Sequence, residues 1–105
     1  MSLVLHRLRA GLIYSQAFAD FLEQKYAEEH REHPGELPHL DYVRCAQGEL
    51  AGQSWLQIEW VSGLQAPTAD RHTIGSVEVF IHRQAMRGLK NQMLHFDGQK
   101  VIVKS

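Results

Sequence analysis

Three groups of residues in this chain could carry chemistry. The first is the run "EEHREHPGELPH". His30 and His33 stand three apart and would share one face of a helix. Neutral imidazoles there could hold zinc or iron, with Glu29 or His39 as a third ligand. The run has no HExxH, no cysteine pair and no spaced carboxylates, and histidines at a helix end before a proline also act as solvated caps. The second group is "RQAMRGLK". If helical, it sets Arg83, Arg87 and Lys90 at steps of four and three, a cationic face that could meet an acidic partner helix or an anionic ligand. The plainer reading is a solvated face whose long stems cover apolar neighbours. The third is the lone Cys45 in "DYVRCAQ", just ahead of the loop "GELAG". A catalytic thiol needs a pKa lowered by a histidine or a helix N-terminus. Cys45 instead shares a strand-like alternation with Val43 and is expected to pack as a small hydrophobe. No Gly-rich phosphate loop, nucleophile elbow or paired-carboxylate site accompanies these groups.

The elements that must position them follow from periodicity. With 105 residues, one domain spanning 1–105 is expected. The 44% apolar and 22% charged content is ordinary for a globular chain. A net charge of −1 and a pI near 6.6 offer no field for a nucleic-acid backbone. One cysteine makes no internal disulfide, and "MSLVLHRLRAGL" is too short and charged for a signal peptide or a span. A cytoplasmic location is therefore expected, with neither nucleic acid nor membrane as partner.

Leu3 to Leu8 read as a short strand. Tyr14, Phe18, Phe21, Leu22 and Tyr26 recur at helical spacing, with Asp20, Glu23, Gln24, Glu28 and Glu29 opposite. Ser15 suits the N-cap, and "HPGELP" ends the helix. Beyond it the period becomes two. "LDYVRCAQ", Leu56 to Trp60 and "SVEVFIH" read as strands, and "SGLQAPTADRHTIG" as the longest irregular stretch. "RQAMRGLK" makes two helical turns, and Asp97-Gly98 closes a hairpin between "MLHF" and "KVIV". The sum is an α+β domain, one main N-terminal helix on a mostly antiparallel sheet with a short late helix, and no internal repeat.

In this pattern Trp60 is in phase with Leu56 and Ile58 and is expected in the core. Trp55 and Phe80 fall on the opposite phase from their core-facing neighbours. Exposed rings there would favour a homodimer centred on them. The competing expectation is that the segment from Gly63 to Gly75, or the N-terminus, covers them within one chain.

"WLQIEWV", a polar loop and "SVEVFIHRQAMRGLKNQMLHFDG" together resemble the HesB-like domain of A-type iron–sulfur carriers. "SVEVFIH" stands for that family's valine-alternating strand, "RQAMRGLKN" for its short helix and "MLHF" for the strand that follows. "LVLHRLRAGLIYSQAFADFLEQ" matches the opening strand and helix. The resemblance spans nearly the whole order of elements and implies a scaffold used in cluster biosynthesis. The family holds its cluster or iron through a cysteine in a glycine-flanked loop and two near the C-terminus. Here the loop reads "GELAG", with Leu50 or Ala51 in the cysteine's place, and no later cysteine occurs before Ser105. The resemblance therefore implies a member without cysteine ligation and without a cofactor. Such a member would act by binding a protein, a second copy or a small ligand, with Trp55, Phe80, Arg83, Arg87 and Lys90 as interface candidates. The alternative is a histidine-based metal-binding protein or metal-dependent enzyme using His30, His33 and His39.

Overall fold

A computed structural model describes residues 4–44, 47–49, 52 and 54–104. The chain is α+β, with strands β1 (Leu5–Arg7) and β2 (Ile13–Ser15), helix α1 (Gln16–Glu29), strands β3 (Glu36–Arg44), β4 (Ser54–Ser62), β5 (Ala69–Ile74) and β6 (Val77–His82), helix α2 (Arg83–Leu89), and strands β7 (Met93–Phe96) and β8 (Val101–Lys104). Instead of one sheet there are two mixed sheets of four strands, in the orders β1-β2-β7-β8 and β4-β3-β6-β5. Antiparallel pairing dominates each, as expected. Among the described residues, the two parallel pairs, β2 with β7 and β3 with β6, are the ones that join distant parts of the chain.

That order contains a symmetry the sequence hides. β1-β2-α1-β3-β4 and β5-β6-α2-β7-β8 are both hairpin, helix, hairpin. Each half gives its first hairpin to one sheet and its second to the other, so neither half has a complete sheet alone. The two halves are unequal where their helices are compared, 14 residues against 7.

α1 forms as its periodicity requires. Ser15 Oγ accepts the Phe18 amide at 3.1 Å, which satisfies one orphan donor of the first turn. Phe18, Ala19 and Leu22 are buried on the sheet side, with Tyr26 partly buried below them. Their neighbours in the core are Leu12, Leu40, Ile74, Val79, Ile81, Leu89 and Leu94, all fully buried. Pro38 is tolerated inside β3 because β3 pairs with β6 only from His39 onward.

Two strands escaped the pattern reading. β2 has three residues and runs directly into the cap of α1, so it merged with the helix. β5, "ADRHTI", lies in the stretch expected to be irregular. It is an edge strand whose only buried residue is Ile74, so no alternation marks it. At the β7–β8 turn, Asp97 Oδ1 accepts the amides of Gln99 and Lys100, both at 2.9 Å. The Lys100 and then the Gln99 amide hold the Asp97 carboxyl below its ordinary pKa.

Glu23, assigned to the solvated face of α1, ties the helix to the β5–β6 turn. Its Oε1 accepts both the amide and the hydroxyl of Ser76 at 3.0 Å. Gly75 beside it has φ +62, and a Cβ there would stand 2.6 Å from Glu23 Oε1 and 3.2 Å from the Ala19 Cβ. Gly75→Ala is expected to cost about 2–3 kcal/mol, from left-handed strain plus a displaced carboxylate hydrogen bond. Gly98→Ala has φ +100 but nothing within 4 Å, and is expected to cost only about 1 kcal/mol. Chemical denaturation of both variants checks this. Equal losses would mean that the packing against α1 contributes nothing.

Candidate functional site

β4 and β8 are each the outer strand of their own sheet, and they lie side by side without pairing. A groove of about 330 Å³ opens between them, lined by Ser54, Trp55, Leu56 and the stretch from Lys100 to Val103. The β3–β4 hairpin delivers Trp55 to its mouth. Gly48 and Gly52 in the connection have φ of +85 and +86, a turn that other residues resist. Trp55 keeps 39% of its surface in water. Its phase explains this, because Tyr42 and Leu56 face the core in the neighbouring register pair while Val43 and Trp55 face away. The groove thus joins an exposed indole, an aliphatic wall and one ammonium, Lys100.

The three candidate histidines do not form one ligand set. The His30 ring stacks on Tyr26 at 4.8 Å, with Nδ1 2.8 Å from the Tyr26 carbonyl oxygen. His33 stacks on Trp60 at 4.8 Å, nearly parallel, and its Nδ1 lies 3.2 Å from Glu36 Oε1. His39 meets His82 edge-on at 6.3 Å. Among the described residues no three His, Cys, Asp or Glu side chains converge as a metal would require. His30 and His33 instead build an aromatic stack at the end of α1, completed by the Tyr26–Trp60 contact at 5.8 Å. Trp60, expected in the core, is only half-buried there, and among the described residues its shielded Nε1–H has no partner in full hydrogen-bonding geometry. Glu29 beside it is held below its ordinary pKa, first by the Lys25 ammonium at 2.8 Å, against opposing desolvation, with the indole N–H a smaller contributor.

The cationic residues also separate. Arg83 is forked onto Asp70 at 3.3–3.4 Å. Arg87 is exposed on the outer side of α2. Lys90 lays its stem over Gly11, where a Cβ would stand 3.1 Å from Lys90 Cγ. Phe80 is not an exposed ring. It is 7% exposed, with the Arg71 guanidinium 5.5 Å above its face and Gly63 against its edge. Of the two rings read as interface candidates, Trp55 alone is open, and the segment after Gly63 covers Phe80 within the chain. Cys45, Leu50 and Ala51 lie outside the described residues.

Periodicity also gives no sign of the pairing between Ser15 and His95. Ser15 is fully buried, and its Oγ lies 2.7 Å from His95 Nδ1 across the parallel β2–β7 pair. The hydroxyl accepts from the Phe18 amide and has its own proton to donate to Nδ1, so the cap of α1 is tied to β7. Only the strand register, which places Ser15 beside His95, could have revealed it.

No helix among the described residues is long and apolar enough to cross a membrane. No protein-family model matches the chain, and no curated protein matches it significantly.

Proposed function

We propose that this chain is a non-catalytic binding domain on a HesB-like scaffold, working in the cytoplasm without cysteine-held iron or cluster. Its site is the β4–β8 groove. The observation that carries this reading is the open indole of Trp55 over an aliphatic wall, at the exit of the loop where the resemblance places the family's ligand. What supports the scaffold is the outline of the order, an opening strand, a helix, a glycine loop, a valine-rich strand, a short helix and a further strand, with β2 and β5 added where the resemblance has no strand. The donor set does not support cluster chemistry. Iron–sulfur clusters are held by about four thiolates, and one cysteine per chain gives a dimer only two.

An apolar anion suits a groove of tryptophan, aliphatic side chains and Lys100. The fluorescent sulfonate 8-anilinonaphthalene-1-sulfonate is therefore expected to bind, with energy transfer from Trp55. Trp55→Ala should remove most of that binding while leaving the fold intact by circular dichroism. Binding left unchanged in Trp55→Ala, or none to the parent chain, would defeat the groove as the site.

A further inference from the structure

The strand register of the first sheet assigns a second surface, continuous with the groove through Ile102. Residues paired across strands share a face. Leu5 pairs with Ser15, Ser15 stands beside His95, and His95 pairs with Ile102. One step along, Arg7 pairs with Ile13, Ile13 with Met93, and Met93 with Lys104. These two rows form the face turned away from Tyr14, Leu94, Val101 and Val103, which belong to the core or pack against it. Leu5 is 51% exposed, Ile13, Met93, His95 and Ile102 are half-buried, and Arg7 and Lys104 are exposed at opposite edges.

One row is apolar in the middle, Ile13 and Met93, and cationic at both ends; the other holds the polar pair Ser15 and His95 between Leu5 and Ile102; neither row contains a carboxylate. Stacking two copies face to face about a two-fold axis along or across the rows would set Arg7 and Lys104 against cations of the second copy, with no carboxylate in either row to neutralise them. An anionic bilayer would meet the charges, but inserting the apolar residues among its acyl chains would also bury the Ser15–His95 pair beside them away from polar partners. An amphipathic helix satisfies all three features. Its apolar stripe covers Ile13, Met93 and Ile102, its flanking carboxylates reach Arg7 and Lys104, and a polar side chain can meet His95. We infer that this sheet face, together with the groove under Trp55, docks an acidic amphipathic helix of a partner protein. The inference rests on the binding reading above and names its partner.

The test uses the whole chain and a synthetic helical peptide with leucines at three-and-four spacing flanked by glutamates. Its control is the same peptide with lysines for glutamates. Methyl and indole NMR signals report the contact. The glutamate peptide is expected to shift Leu5, Ile13, Met93 and Ile102 methyls together with the Trp55 indole. It should bind at least about tenfold more tightly than the lysine peptide. The exposed double variant Arg7→Glu with Lys104→Glu should reverse that order. Equal affinity for the two peptides overturns the inference. So does displacement of the glutamate peptide by vesicles of phosphatidylserine, or a dimer in sedimentation that Met93→Glu dissociates. Shifts confined to Trp55 and the groove would overturn the helix-docking face while leaving the groove reading standing. Silence of both would remove both.

Discussion

Replacing Phe18 by alanine is expected to destabilise the chain by about 3–5 kcal/mol. Phe18 is fully buried in the first turn of α1, where its ring also meets Phe21 at 6.3 Å. Deleting a buried ring removes its transfer free energy and leaves a cavity that the sheet side cannot fill, since Leu22, Leu40 and Leu94 belong to strands and a helix fixed by hydrogen bonding. A domain of this size is stable by only about 5–15 kcal/mol, so the variant stands close to unfolding. Chemical denaturation gives the difference directly. A loss under about 1 kcal/mol would mean that α1 does not seat its Phe18 face on the sheets.

Phe80→Ala is expected to cost nearly as much, about 3 kcal/mol, whereas Trp55→Ala should change stability by no more than roughly half a kcal/mol. The two rings have the same phase relation to the core-facing residues of their strands, and periodicity cannot separate them. Position in the sheet does. β6 lies between β3 and β5, and Phe80 is covered by the Arg71 guanidinium and the Gly63 segment. β4 is an edge, and Trp55 is left open. If Phe80→Ala changed association without loss of stability, the ring would be serving an interface and the packing described here would be wrong. Comparable melting shifts for both variants would place Trp55 in the core as well.

The same contrast shows what the residues made legible. α1, its Ser15 cap, the valine strand β6, α2 and the Asp97-Gly98 hairpin were readable because each depends on neighbours close in sequence. β5 was not, because an edge strand that buries only Ile74 has no reason to alternate. The division into two sheets was not readable either, since it rests on two parallel pairings between distant segments. At the site, Trp55 was legible from its phase. The histidines were not, because the stacking of His30 and His33 depends on Tyr26 and on Trp60 arriving from β4. Glu23 looked like surface for a similar reason, its partner Ser76 being 53 residues away.

The proposed binding role requires that the chain hold no iron through thiolate. Anaerobic incubation with ferrous iron and sulfide, followed by desalting, absorbance and iron analysis, tests it most directly. The parent chain and Cys45→Ser are expected to emerge alike, colourless and without stoichiometric iron, with the β4–β8 groove still taking up the sulfonate dye. A stable visible chromophore in the parent that disappears in Cys45→Ser would contradict the account and return the chain to cluster chemistry.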